Sequence, residues 1–473
     1  MKVLLIQPDY PRTESSPQEL EKRLLPSYSL ILLAQLLEVQ GHQAQVLDGF
    51  SSWHLTGKKN QNQLDQALKL LLEKNDYELV GISVYTPLRK EAIELAQMVK
   101  RISPESKIVL GGPHPSRLYA SMLDEYAGLV DFILLGGADI SLVELVENLE
   151  GKGTARYRIP GLAWIGEGGE IRANSRPIIN LDLTQQSPVR FDTYLDFLGN
   201  PKLKRAYMIT SRGCRFWCNF CSQLWKKLLL HPLERAVQEA RHLIEELEVE
   251  ELVIYDDCLG ARSEHTQSFF SALSKFSGTA RLIGISHFQL LKEDWLSAFK
   301  KAGGYGILLG LESGSSKLRR KMNKHLEDDE ICQGVELVRK LGLKLGIYTM
   351  VGFPNESVQD TYTTYKILSK IQPEQVIAPV YEIKPGDMMI EFGLKARMIQ
   401  ESDYLDLDRR IINYMSEPEL EQAVGLADYL ETSFSPEPFL YDLYPSWWIL
   451  GWSEEQRNRA RGKAEQELKK CQN

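Results

Sequence analysis

Residues 205–221, RAYMITSRGCRFWCNFC, combine a short strand pattern with three closely spaced cysteines, Cys214, Cys218 and Cys221. A cube of four irons takes four thiolate ligands, so three local thiolates leave one iron with an open coordination position. An open position on a metal is where a substrate or cosubstrate binds. The stretch therefore predicts a catalytic [4Fe–4S] centre at the end of a strand.

The alternative for these cysteines is a zinc site or a purely structural role. Zinc ribbons usually pair two CxxC turns, and no second turn or nearby His completes a tetrahedron here. The remaining cysteines, Cys258, Cys332 and Cys471, are scattered along the chain. The spacing favours the cluster.

Composition is typical of a globular protein, with 473 residues, 43% hydrophobic and 25% charged. A net charge of −8 argues against an electrostatic nucleic-acid binder, which would need a basic patch. The apolar run at the N-terminus is too short for a signal peptide, and no window reaches about 18 apolar residues. We expect a cytoplasmic protein without a membrane span, in a compartment that keeps its thiols reduced.

The first 150 residues predict a doubly wound α/β domain with a flavodoxin-like, five-stranded parallel sheet. Short aliphatic runs alternate there with helical patterns such as Leu30 to Val39 and Leu64 to Leu72. In such a sheet the ligand lies beyond the carboxyl ends of the strands. Small or polar residues follow three of the predicted strands: Ser83, Thr86, Gly111, Gly112, Gly136 and Gly137.

Two of these segments, VGISVYTP at 80–87 and VLGGPHPS at 109–116, resemble the cobalamin-binding domain family. The resemblance implies cobalamin contacts at Ser83, Tyr85, Thr86, Gly111, Gly112, His114, Gly136 and Gly137. A side chain at Gly112 would then occupy space needed by the corrinoid or its tail. A structural role for His114, and a flavodoxin-like domain that binds no corrinoid, are the alternatives.

One segment departs from that family. Many members carry a DxHxxG motif after the first strand, whose His replaces the lower ligand of cobalt. Residues 7–14 read QPDYPRTE instead. We therefore expect a cobalt without an imidazole on its lower face.

Residues 151–202 predict a connector that contains one hairpin, to which we assign no chemistry. From 203 to 388 six further strand patterns alternate with helices, which predicts a partial (β/α)6 barrel with catalytic groups at the carboxyl ends of its strands. Residues 389–473 predict a mostly helical region. Its Trp447, Trp448 and Trp452 either pack this region, which we favour, or shape a substrate pocket.

The CxxxCxxC spacing resembles that of radical S-adenosylmethionine (SAM) enzymes, a resemblance that spans about residues 203–385. In that family the open iron is chelated by the amino and carboxylate groups of SAM. The resemblance implies further SAM contacts near the strand ends: Phe220, Asp256, Asp257, Glu312, Ser313, Gly352 and Pro354. Two of these, Asp256 and Asp257, stand where the family has a GGE-like segment.

The two resemblances together imply a cobalamin-dependent radical SAM enzyme, most often a methyltransferase. In such an enzyme a 5′-deoxyadenosyl radical abstracts a substrate hydrogen, and the resulting substrate radical receives a methyl group from methylcobalamin. An external electron donor such as flavodoxin or ferredoxin and a small-molecule substrate are the implied partners. A radical SAM cyclase or rearrangement enzyme, and a corrinoid-binding sensor or carrier, are the alternatives.

Overall fold

A computed structural model describes most of the chain, namely residues 1–9, 25–56, 63–175, 183, 186–223, 226–276, 280–409, 411–413, 415–435, 438–440, 449–450 and 452–471. The N-terminal part forms a seven-stranded sheet of order β2-β1-β3-β4-β5-β6-β7. Its strands are β1 Lys2–Ile6, β2 Gln43–Leu47, β3 Leu79–Ser83, β4 Lys107–Gly111, β5 Phe132–Leu134, β6 Leu162–Ile165 and β7 Ile171–Ala173.

The first five strands are parallel, as the alternation of strands and helices predicts. Because helices cover both faces of a parallel sheet, its strands are aliphatic along nearly their whole length, as in β1 and β3. The associated α-helices are Tyr28–Val39, Gly49–Thr56, Gln63–Lys74, Arg89–Ile102, Pro113–Glu125 and Ser141–Leu149, with 3-10 turns at Thr86–Leu88 and Arg156–Arg158.

The predicted hairpin is part of this sheet rather than of a separate connector. Strand β6 pairs antiparallel with β5, and β7 pairs antiparallel with β6. Trp164 lies opposite Phe132 and is buried, so the hairpin covers an edge that a five-stranded sheet would leave open. A short helix, Asp192–Phe197, then leads to the second sheet.

Six parallel strands form the second sheet, in the order β15-β14-β13-β12-β11-β8. They are β8 Arg205–Met208, β11 Glu251–Leu259, β12 Arg281–Ser286, β13 Gly304–Glu312, β14 Lys344–Thr349 and β15 Gln375–Ile377. The covering helices are Leu233–Arg241, continued by a π-helical turn at His242–Glu246, then Ser263–Leu273, Glu293–Lys301, Ser316–Lys321, Asp328–Lys340 and Val358–Ile371, with a 3-10 turn at Phe288–Leu290. The predicted partial (β/α)6 barrel is confirmed.

The C-terminal region packs on this barrel. It contains helices Met389–Lys395, Glu417–Phe434 and Glu454–Lys470 and a 3-10 turn at Glu401–Tyr404. Phe439 lies against the start of β13 and β14, where a Cβ on Gly306 or Gly346 would approach its ring to 2.7 and 3.1 Å. Backbone amides of Phe439 and Leu440 donate to the side-chain oxygen of Gln375, the first residue of β15. This segment therefore fills the amino-terminal end of the barrel, opposite the catalytic end.

Of the three C-terminal tryptophans, Trp452 packs against the main hydrophobic core, in keeping with a packing role. Trp447 and Trp448 lie outside the described residues. No helix within the described ranges is both long enough and apolar enough to cross a membrane.

Candidate functional site

The cysteine loop is closed at its base by a small antiparallel hairpin. Strand β9, Ser211–Arg212, precedes the loop and pairs with β10, Leu229–Leu230, which follows it. Farther out, the backbone amide of Asn219 donates to the carbonyl of Met322 at 2.8 Å. These bonds present the three cysteines together at the carboxyl end of β8, each of them half-buried.

The thiols differ in electrostatic environment. Burial raises the pKa of Cys218 to about 11, against the opposing effect of the Lys324 charge. Burial also raises the pKa of Cys221, whereas a hydrogen bond with Cys258 lowers the pKa of Cys214 to about 6. Among the described residues, no three His, Cys, Asp or Glu side chains are arranged to hold one metal ion. A cube binds each cysteine at a separate iron, so three sulfurs from one loop suit it.

Cys258 is therefore not remote from the predicted cluster, although it is 44 residues from Cys214 in sequence. It lies on β11, is 3% exposed, and its thiol is hydrogen-bonded to that of Cys214. In the sequence alone, Cys258 is one of three scattered cysteines. Parallel pairing of β8 with β11 brings the two together.

The adjacent carboxylates Asp256 and Asp257 both hold the cysteine loop. Asp256 is buried and accepts four hydrogen bonds of 2.6–3.1 Å from the backbone amides and hydroxyls of Thr210 and Ser211. Asp257 accepts a bond of 2.7 Å from the backbone amide of Gly213. The SAM contacts that the resemblance implies for Asp256 and Asp257 stay predictions, and in this structure both oxygens of Asp256 accept bonds from the loop.

This network leads to a prediction for Asp256→Ala. The substitution removes four buried hydrogen bonds, a loss of roughly 3 kcal/mol or more to the local structure, because the orphaned donors stay buried. We expect the reconstituted Asp256→Ala variant to carry clearly less iron, as measured by colorimetric iron analysis. The control is Asp294→Ala, which replaces an exposed aspartate on a barrel helix and should keep the normal iron content. Full iron content combined with lost SAM binding would instead make Asp256 a direct SAM ligand.

Glu312 ends β13 in the left-handed region of backbone conformation, with φ of 66°. Its carboxylate accepts a bond of 2.7 Å from the ammonium of Lys324, and the two side chains are 11% and 4% exposed. Ser313 beside it is fully buried. Lys324 thus places a buried cation close to the cysteine loop and to the predicted SAM site. It was missed by the sequence analysis because no motif marks it.

We expect Lys324→Met to destabilise the chain by roughly 3–5 kcal/mol, because it leaves the Glu312 carboxylate buried without its partner. The double variant Glu312→Gln/Lys324→Met should recover much of that loss. A matched control is Lys340→Met, whose bond to Glu293 is also 2.7 Å but whose partners are 63% and 54% exposed. That change should cost less than about 1 kcal/mol. Urea unfolding of the apo chain measures all three, and equal losses for Lys324 and Lys340 would contradict the prediction.

The turn after β14 carries the predicted adenine-side residues Gly352 and Pro354. The carboxylate of Glu356 accepts bonds from the backbone amides of Gly352, at 2.6 Å, and Phe353, at 3.1 Å. Burial raises the pKa of Glu356 to about 7. Pro354 is buried. The turn is held from behind by Glu356, another residue that the sequence analysis did not single out.

An aromatic pair adds a further contact to the cysteine loop. The ring of Phe216 stacks on that of His287, with centroids 4.2 Å apart. His287 follows β12, and burial lowers its pKa to about 3, so it is neutral. No sequence signal relates these two residues, which are 71 positions apart.

A cavity of about 320 Å³ lies at the carboxyl edge of the N-terminal sheet. Six of the eight predicted cobalamin residues line it: Ser83, Tyr85, Gly111, Gly112, Gly136 and Gly137. A Cβ built on Gly111 or Gly136 meets no atom within 4 Å, so these two glycines border open space. Leucine and isoleucine side chains make up much of the remaining wall. A mostly apolar cavity bordered by glycines suits the flat base of a corrinoid tail.

The structure gives a separate reason for glycine at position 112. Its φ is 99°, and a Cβ there would approach the carbonyl oxygen of Val84 to 2.8 Å. Glycine is thus required for the close approach of two backbone segments. The expectation that a side chain at Gly112 would occupy corrinoid space stays a prediction, and the first clash of such a side chain is with Val84.

Thr86 and His114 do not line this smaller cavity. His114 is 1% exposed, and its Nδ1 lies 3.2 Å from the hydroxyl of Thr86. Burial lowers its pKa to about 3, so the ring is neutral. The structure therefore places His114 behind Thr86 rather than on a cavity wall.

A larger cavity of about 550 Å³ lies between the carboxyl ends of the two sheets. Tyr85 and Thr86 line it from the N-terminal sheet, and Phe220 and Tyr255 line it from the barrel. Tyr85 borders both cavities, so the two spaces meet at its side chain. Gln7, Pro8 and Asp9 of the first loop also face the larger cavity, while residues 10–14 of that loop lie outside the described residues.

An ion pair connects the smaller cavity to the cysteine loop. Arg212, two residues before Cys214, contacts Asp139 with both terminal nitrogens, at 3.0 and 2.9 Å. Both residues line the smaller cavity. The barrel and the N-terminal sheet are thus joined at the base of the predicted cluster loop.

Comparisons with known proteins agree with this geometry. A family model for the radical SAM superfamily matches residues 208–368, and one for a B12 binding domain matches residues 23–146. An uncharacterized methyltransferase of Pyrococcus horikoshii is 25% identical over 410 residues, covering 84% of each chain. An anaerobic magnesium-protoporphyrin IX monomethyl ester cyclase of Rubrivivax gelatinosus is 24% identical over 416 residues, covering 85% of this chain and 72% of the cyclase.

Two solved structures share the fold. The radical SAM methyltransferase TsrM of Kitasatospora setae, with cobalamin and a [4Fe–4S] cluster bound, superposes with a TM-score of 0.67 at 16% identity, over 98% of this chain and 99% of TsrM. The cobalamin-dependent SAM radical enzyme OxsB gives a TM-score of 0.61 at 16% identity, over 86% of this chain and 56% of OxsB. Residues 208–368 are thus a radical SAM domain and residues 23–146 a B12-binding domain, and these two domains imply a [4Fe–4S] cluster, SAM and cobalamin as cofactors.

Proposed function

We propose that the chain is a methyltransferase that acts on an unactivated carbon of a small molecule. The observation that carries the proposal is the larger cavity, which is bordered both by the B12-binding domain and by the cysteine loop. When bound, the cluster with SAM supplies a hydrogen-abstracting radical, and cobalamin supplies a methyl group. A substrate in this cavity could meet both. The similarity to a protein named a methyltransferase, over 84% of both chains, adds support.

The chain's own residues contribute position and shielding in this proposal. Asp256 and Asp257 hold the loop that carries Cys214, Cys218 and Cys221. Apolar and aromatic side chains form much of the cavity wall and would exclude water from reactive species. Among the proposed SAM contacts, Phe220 lies on that wall, whereas Glu312, Ser313, Gly352 and Pro354 stand at the ends of neighbouring strands. We also propose the domain limits 203–388 for the barrel and 389–473 for the C-terminal region; the N-terminal domain, expected at 1–150, also includes the hairpin strands β6 and β7.

We further propose that an external flavodoxin or ferredoxin reduces the cluster. Trp217, inside the cysteine loop, is 58% exposed, so one side of this loop lies at the protein surface where a donor could approach. A reducing compartment such as the cytoplasm would keep the cluster thiolates available.

Product analysis tests the methyltransferase. The protein is prepared anaerobically with its cluster and cobalamin. It is then incubated with a strong one-electron reductant and with SAM that is deuterated at its methyl group. Formation of S-adenosylhomocysteine with transfer of the labelled methyl group to the corrinoid supports the proposal. Release of 5′-deoxyadenosine without any methyl transfer contradicts it.

The second candidate is a cyclase or rearrangement enzyme that uses cobalamin without methyl transfer. The similarity to the magnesium-protoporphyrin cyclase, over 85% of this chain, is the observation that favours it. The same experiment separates the two candidates, because a cyclase forms 5′-deoxyadenosine and leaves the methyl group on the sulfur of methionine. A corrinoid carrier or sensor would form neither product.

A further inference from the structure

Glu382 is a buried carboxylate on the wall of the larger cavity. It follows the sixth barrel strand and is 8% exposed. Its neighbours hold the backbone in place, since the amide of Tyr381 donates to the carbonyl of Val351 and the amide of Ile383 donates to the carbonyl of Ile412. The side chain is therefore presented from the catalytic end of the barrel by a well-anchored segment.

One oxygen of this carboxylate has no hydrogen-bond partner. A backbone bond from Ile412 reaches the group, but Oε1 is buried and unpartnered. Among the described residues that line the cavity, Glu382 alone has a buried side-chain oxygen or nitrogen in this condition. Burying a carboxylate without a full set of partners costs free energy, so such a group calls for a donor from elsewhere.

The other charged groups near Glu382 either form hydrogen bonds with other residues or are exposed. The buried Arg89 donates to the carbonyl oxygens of Thr86, at 2.7 Å, and Asp406, at 2.6 Å. Asp387 accepts a bond of 2.6 Å from the hydroxyl of Tyr381. Lys384 lines the cavity, but its side chain is exposed. Burial raises the pKa of Glu382 to about 7, against the opposing effects of Lys384 and Arg89.

The other carboxylate deep in this cavity is already satisfied. Asp48 accepts bonds from the amides of Ser27 and Ser51, each at 2.8 Å, and from the hydroxyl of Tyr194 at 2.9 Å. It holds its own part of the N-terminal sheet. Of these two buried carboxylates, Glu382 is therefore the one that keeps an oxygen available to a molecule in the cavity.

We propose that Glu382 anchors the substrate, and that the substrate carries a protonated amine attached to an apolar, ring-containing body. A charge-assisted bond from an ammonium group is the strongest partner for a buried carboxylate. The aromatic residues around the cavity, including Tyr85, Tyr255 and Phe220, suit a flat apolar body and also favour cations. This inference deepens the proposed methyltransferase and rests on it.

Cobalamin offers a second source of N–H donors, because its corrin ring carries amide side chains. The test therefore begins with cobalamin itself. Anaerobic full-length chain with its cluster is titrated with hydroxocobalamin and followed by visible absorbance, for the unmodified chain and for Glu382→Gln. We expect equal affinities. A tenfold or greater weakening in Glu382→Gln would assign the carboxylate to a corrin amide and overturn the substrate role.

The second arm uses amine and alcohol pairs as probes, on chain saturated with cobalamin. Calorimetric titration compares benzylamine, 2-phenylethylamine and tryptamine with benzyl alcohol, 2-phenylethanol and tryptophol. We expect at least one amine to bind about tenfold or more tightly than its alcohol, as a charge-assisted hydrogen bond provides. Glu382→Gln should abolish that preference. The control Glu391→Gln alters a carboxylate of the same region that is 76% exposed and bonded to Lys395, and it should retain the preference.

These binding measurements test the proposed role of Glu382 without any catalytic turnover. Absence of an amine preference in the unmodified chain overturns it, whether or not Glu382→Gln folds. A preference that persists in Glu382→Gln overturns it as well. The methyl-transfer assay on the unmodified chain is separate, so failure of the proposed function and failure of the Glu382 assignment are distinguishable.

Discussion

Replacing Cys214, Cys218 and Cys221 together with alanine is expected to abolish cluster binding and all reductive cleavage of SAM. Each thiolate is a direct ligand of iron in the proposed site, so the triple variant keeps no protein ligand from this loop. The brown absorbance should disappear, and iron should fall from about four per chain to background. Iron analysis after anaerobic reconstitution and chromatography of released 5′-deoxyadenosine measure the two effects.

A matched control for this prediction is Cys332→Ala. Cys332 is half-buried on the helix Asp328–Lys340 and takes no part in the cysteine loop, so its removal should leave iron content and cleavage unchanged. Cys258→Ala provides a second comparison, because this thiol is bonded to Cys214. Iron near four per chain in the triple variant would refute the cluster assignment.

Gly111→Leu is expected to weaken cobalamin binding by about a hundredfold or more, equivalent to ~3 kcal/mol. Gly111 lines the smaller cavity, and a Cβ there meets no atom within 4 Å. The leucine side chain can therefore enter the cavity without first displacing the protein. It would fill space that we assign to the corrinoid tail. Visible absorbance titration with hydroxocobalamin gives the affinity.

The control here is Gly462→Leu, a glycine on the C-terminal helix that also has no atom within 4 Å of its Cβ position. It should bind cobalamin normally. Gly112 is a poorer test, because any side chain there meets the backbone of Val84 and the fold itself would be strained. Normal cobalamin affinity in Gly111→Leu would show that the smaller cavity does not hold the tail.

Most of the fold was accessible from sequence because the strands of both sheets, apart from the hairpin β6–β7, are parallel. A parallel strand is buried on both faces and must be followed by a crossover helix, so its aliphatic run and the next helical pattern are visible in the chain. The five N-terminal strands and the six barrel strands that the alternation predicts are all present, as β1 to β5, β8 and β11 to β15. The place of the hairpin was not, because pairing of β6 with β5 depends on which edge of the sheet is open.

The site was accessible only in part. The cysteine spacing and the glycines after β4 and β5 are local features of the sequence, and they led to the loop and to the smaller cavity. Lys324, His287 and Glu382 carry no such local signal. They matter because of what lies beside them: Glu312, Phe216 and an apolar cavity.

The sequence by itself determined the features that lie in consecutive residues, namely a three-cysteine loop after a strand and a glycine-rich edge on a separate sheet. Only the tertiary structure decided which groups have partners. Asp256 is bound to the loop strand and His114 is buried behind Thr86, whereas Glu382 keeps an oxygen without a partner. The physical reason is that hydrogen-bond satisfaction depends on neighbours distant in sequence, and these are brought together only when the two sheets meet.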